Sequence, residues 1–159
     1  MGTLAARMAG LIAALAAATL LAAELAIISQ SQFVLAGLRG LGAPIGAGET
    51  LRFTLADIAG MTPTYLLALT PAFLIAFAVT AWLQPRTPIP RAPAFAIGGG
   101  AAVVVLLLGM FLLDGSHLVA GSRGLAGMAF QGAAGAAGGL LFARLTRRTG
   151  LQAGRATPV

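Results

Sequence analysis

Apolar residues gather along the chain into four long runs separated by polar punctuation, a pattern of whole helices immersed in an apolar medium rather than of half-buried strands. The first run covers about residues 8–28, the second 63–83, the third 95–113 and the fourth 124–143. Each is close to the roughly 20 residues that a helix needs to cross the ~30 Å hydrocarbon core of a bilayer. The pattern predicts an all-α membrane protein: a four-transmembrane-helix bundle with a long, partly structured first extracytoplasmic loop.

The fourth run is distinctive in kind. Glycines 124, 127, 132, 135, 138 and 139 interrupt it, a composition that would make a poor helix in water. On a 3.6-residue helix Gly124, Gly127, Gln131, Gly135 and Gly138 fall within roughly 80° of one another, forming one smooth face with a single amide in it. Helices associate in lipid through close backbone approach and interhelical hydrogen bonds, so this face is expected to pack against another helix. The first run carries two similar rows, Ala9, Ala13, Ala17 and Gly10, Ala14, Ala18, Ala22. Of these, Ala13 and Ala17 are read as packing positions alongside Gly124, Gly127, Gly135 and Gly138. The basic start and small residues Ala22 and Ala23 also resemble a signal peptide, but the apolar run continues through LAII beyond the usual 7–15 residues.

Between the first two runs, residues 29–62 hold SQSQ, six glycines and Pro44, and read as an excursion from the membrane. Residues 32–41 suit a short interfacial helix, while 49–61 read equally as a strand or as a helix start capped near Asp57. In the second run Tyr65 and Trp82 stand near opposite ends, as in interfacial aromatic belts, and Pro71 predicts a kink. Four prolines in residues 84–93 make a stiff turn into the third run, whose second half lacks small residues and is expected to face lipid.

Composition agrees: of 159 residues 58% are hydrophobic and 9% charged, with a mean hydropathy of +0.94. The net charge of +6 comes from ten arginines and no lysine. They are dispersed at the ends of apolar runs instead of forming a basic stripe with aromatics, so no nucleic-acid partner is expected. The absence of cysteine removes disulfides, thiolate chemistry and iron–sulfur clusters, and a single histidine cannot supply two axial haem ligands. No cofactor or metal is expected.

Arginines also set orientation. Arg7, Arg86, Arg91, Arg144, Arg147 and Arg148 flank the spans on one side without acids, whereas Arg39, Arg52 and Arg123 on the other are balanced by Glu49, Asp57 and Asp114. This predicts a bacterial-type inner membrane protein with both termini cytoplasmic. Residues 1–148 form one membrane domain, and 149–159 a mobile polar tail.

Glu24 is the one ionisable residue inside an apolar run, and such groups are candidates for proton or cation handling, or for polar anchoring between helices. Its expected partner is Gln131, the amide in the glycine face. Asp114, His117 and Arg123 form a polar cluster in the last outer loop, too few for a metal site. No nucleophile–base constellation can be assembled, so the chain is not expected to be an enzyme. The reading that follows is a non-catalytic accessory or assembly subunit, surrounded by lipid and packed against other membrane proteins or copies of itself. The alternative is a small proton- or cation-coupled transporter using Glu24. Four helices with an acid in the first is similar to the small multidrug exporters; the roughly 34-residue first loop departs from that pattern.

Overall fold

A computed structural model describes residues 4–114 and 125–147. These residues form four helices, α1 (Leu4–Gly40), α2 (Ala47–Leu83), α3 (Arg91–Asp114) and α4 (Leu125–Leu145), with a 3₁₀ turn at Gln84–Arg86. Each of the four is long and apolar enough to cross a membrane. They pack as a ring, α1 against α2, α2 against α3, α3 against α4 and α4 back against α1. The start of α1, the end of α4 and the proline turn share one end of the bundle, here the linker end. The α1–α2 connection defines the other, the hairpin end.

The sequence-based expectation of a long first loop is corrected by this arrangement. Residues 29–40 continue α1 and residues 47–62 begin α2, leaving a connection of residues 41–46. The physical reason lies in the burial pattern. Ala14, Ala18, Ala22, Ala26 and Gln30 are buried at steps of four, as are Thr19, Ala23, Ile27, Ser31 and Leu35. Both rows run through SQSQ without a break, so the polar residues are the continuation of a packed face. In α2 the half-buried Phe53, Asp57, Met61 and Tyr65 lead at the same spacing into the buried Leu69, Phe73 and Phe77. Residues 49–61 therefore follow the helical period, and the strand alternative is not adopted.

α1 stops where glycine permits it. Gly42 has φ +88°, its N–H donates to the Arg39 carbonyl at 2.9 Å, and the Ala43 N–H donates to the Leu38 carbonyl at 3.1 Å. That pair of bonds is the Schellman arrangement, followed by a proline that cannot continue the helix. α2 opens at Gly46, whose N–H donates to the Glu49 carboxylate at 3.1 Å, the backbone half of a capping box. Pro63 and Pro71 both lie inside α2, which runs unbroken through them.

At 1.5 Å per residue, α1 and α2 are each about 55 Å long, α3 about 36 Å and α4 about 31 Å. The first two thus exceed a hydrocarbon core of ~30 Å by several turns. Toward the linker end the core is aromatic: Phe77 stacks on Phe142 at 4.5 Å between centroids and meets Phe95 edge-on at 5.6 Å. Around it the helices touch backbone to backbone. A Cβ built on Gly139 would overlap the Phe95 carbonyl, and one on Gly99 or Gly135 would overlap the carbonyl of the other.

Candidate functional site: a polar seam and an adjoining cavity

Toward the hairpin end the alanine and phenylalanine core gives way to polar side chains between α1, α2 and α4, of which Gln30, Ser31 and Gln131 are buried and Gln32 and Arg39 exposed. Tyr65 on α2 donates its hydroxyl to Gln30 Oε1 at 2.6 Å, and Gln30 Nε2 lies 3.8 Å from Met61 Sδ. Ser31 donates to Asp57 Oδ2 at 2.6 Å, and Gln32 Nε2 donates to Thr54 Oγ1 at 3.2 Å. Arg39 donates to Thr50 Oγ1 near the connection. These contacts form a seam along the α1–α2 hairpin, placing amides, hydroxyls and carboxylates on facing positions one to two turns apart.

Glu24 and Gln131, expected to pair, do not. Glu24 Oε1 accepts from Thr62 Oγ1 at 2.9 Å, whereas Gln131, 1% exposed, donates from Nε2 to the Ala26 carbonyl at 3.1 Å. Glutamine reaches the α1 backbone because its neighbours on α4 are small and admit α1 closely. Once there, a main-chain acceptor is nearer than a carboxylate on another face. The Thr62 hydroxyl also lies 2.6 Å from the Ile58 carbonyl. The hydroxyl has one proton, which it gives to one of these two acceptors at a time.

Next to the seam is a cavity of about 260 Å³ between α2 and α3, lined by Tyr65, Leu69, Val103, Leu107, Met110 and Gln131 among others. It is apolar apart from a few polar groups and suits an uncharged, lipid-soluble body rather than an ion. Glu24 is not among its lining residues.

The other sequence-derived positions are distributed as follows. Gly127, Gly135 and Gly138 are buried, and a Cβ on Gly138 would lie 2.7 Å from the Ala18 carbonyl and 2.9 Å from Phe73 Cε2. Gly124 lies outside the described residues. Ala13 is exposed and Ala17 half-buried; within the chain the other small-residue row, Ala14, Ala18 and Ala22, takes the packing role. Asp114 ends α3, while His117 and Arg123 fall outside the described residues. Among the described residues no group of three or more His, Cys, Asp or Glu side chains could hold a metal.

Tyr65 differs from its reading as a belt residue, since its hydroxyl turns inward to Gln30. Trp82 is exposed, with the Arg86 guanidinium 4.5 Å from its ring centroid. Sequence reading did not single out Gln30, Ser31 and Thr62, and named Asp57 only as a helix cap and a balancing charge. The signal was the four-residue step linking Gln30 to Ala26 and Ser31 to Ile27. No family model, curated protein or solved structure matches this chain.

Proposed function

We propose that the protein is a non-catalytic accessory or assembly subunit of the inner membrane, with both termini cytoplasmic, which engages another membrane protein or a second copy of itself. The observation that carries this reading is the apolar surface of the long α1–α2 hairpin. Leu41 is 86% exposed and Leu51 is also exposed, nearer the connection than the Phe33–Phe130 ring contact between α1 and α4, and Leu55 is exposed one turn below Leu51. Leucines at the far end of a helical pair longer than a bilayer is thick gain little from lipid and much from a protein partner. The exposed Ala9 and Ala13 on α1 add a second surface suited to helix–helix packing.

The test is the state of the full-length protein released in a mild detergent. Wild type is expected to run as a complex, and Leu51→Glu with Leu55→Glu to release a folded monomer. A wild-type monomer with no cross-linked neighbour would count against the proposal.

The transporter alternative has one observation in its favour, the interhelical hydrogen bond from Thr62 to the Glu24 carboxylate within the spans. Its test is proton-coupled flux in proteoliposomes, which Glu24→Gln should abolish. Unchanged flux would remove it.

A further inference from the structure

At the linker end a buried polar atom has no partner. Arg91, the first residue of α3, donates from Nη2 to Thr146 Oγ1 at 2.7 Å, and its guanidinium lies 4.7 Å from the centroid of the Phe95 ring. Its Nε is buried and makes no hydrogen bond. A guanidinium presents five N–H donors and no acceptor, and buried donors are almost always satisfied, so an unpaired one calls for an acceptor. Among the described residues that build this end, 4–23, 63–110 and 128–147, there is no Asp or Glu. The same end carries the exposed Arg86, Arg144 and Arg147, giving a surface of one sign.

Farther along α3 the exposed side chains are apolar, Ile97, Val105 and Leu108 among them, and Leu145 is exposed beside the arginines at the end of α4. Cationic donors above exposed apolar side chains complement an amphiphile with an anionic head.

We propose that Arg91, with the neighbouring linker-end arginines, binds the phosphate of an anionic phospholipid headgroup whose acyl chains lie along the exposed apolar side chains of α3 and α4. Guanidinium and phosphate pair through parallel charge-assisted hydrogen bonds, and the half-buried Arg91 side chain would turn its Nε edge outward to make them. The inference rests on the helices spanning a bilayer; it does not depend on the accessory-subunit reading.

Native mass spectrometry and thermal unfolding of the full-length protein in a zwitterionic detergent test it, with phosphatidylglycerol, phosphatidylcholine or inorganic phosphate added in turn. Phosphatidylglycerol is expected to be retained and to raise the unfolding temperature more than phosphatidylcholine does. Arg91→Gln should weaken its retention about fivefold, while Arg52→Gln at the hairpin end should leave it unchanged. Equal retention of the two lipids, or undiminished phosphatidylglycerol binding by a folded Arg91→Gln, would overturn the proposal. A shift from inorganic phosphate as large as that from the lipid would overturn it in favour of a free-anion site. Should Arg91→Gln not fold, the wild-type comparison between the two lipids decides by itself.

Discussion

The smallest residues carry the tightest constraints in this bundle. At Gly139 an added methyl would run into the Phe95 carbonyl, a main-chain atom that cannot move without shifting α3. Gly139→Ala is therefore expected to destabilise the bundle by about 1–3 kcal/mol, measured as a lowered thermal midpoint in detergent. Gly37 is the internal control, because a Cβ there meets nothing within 4 Å. Gly37→Ala should be neutral or gain up to ~1 kcal/mol from helix propensity. The same sequence letter thus predicts opposite signs, depending on what lies opposite. Gln131 occupies the other extreme, a buried amide whose bond to the Ala26 carbonyl ties α4 to α1. Interhelical hydrogen bonds of this kind average about 0.6 kcal/mol in membranes. Gln131→Leu should accordingly lower stability only slightly in the same assay, and a large loss would indicate that the amide carries more than a packing contact.

Among the elements, the α1–α2 hairpin departs furthest from the pattern of apolar runs. Hydropathy alone ends the first span at Ile28, where serine and glutamine begin, and starts the second at Pro63. The helices continue because those polar side chains pair with each other across the hairpin, Ser31 with Asp57 and Gln32 with Thr54. An arrangement of this kind is testable because the chain has no cysteine of its own. Cysteines placed at Gln32 and Thr54 should be joined by a short bifunctional reagent, whereas cysteines at Gln32 and Leu51 should join poorly; equal yields would argue for an unstructured segment. The turn makes a separate prediction. Gly42 adopts φ +88°, a region costing other residues roughly 1–2 kcal/mol. Gly42→Val should lower the thermal midpoint and accelerate amide exchange around the turn.

For the whole molecule, the distribution of charge makes the sharpest statement. All four acids lie at Glu24, Glu49, Asp57 and Asp114, and the segments flanking the proline turn hold arginine alone. With four helices of spanning length, the orientation proposed from this asymmetry has the turn at residues 84–90 on the cytoplasmic side and the 41–46 connection outside. A cysteine at Thr87 should resist a membrane-impermeant maleimide in intact cells, and one at Ala43 should react. The opposite labelling would invert the orientation and with it the expected leaflet of the Arg91 lipid site.

Length and hydropathy were sufficient by themselves for four membrane-length helices. Solvent preference is a property of each residue, and helical period a property of neighbouring ones, so both can be read along the chain. The partners of the helix faces could not be. Whether Ala13 or Ala14 meets α4, whether Gln131 reaches Glu24 or the Ala26 carbonyl, and whether Tyr65 faces lipid or Gln30 depend on how each helix is rotated and at what height it crosses its neighbour. Tertiary packing decides those quantities, because rotation and height are set jointly by four helices filling one volume. The same holds for residues 29–62, where polar side chains read as exposed until an opposite helix supplies their hydrogen-bond partners.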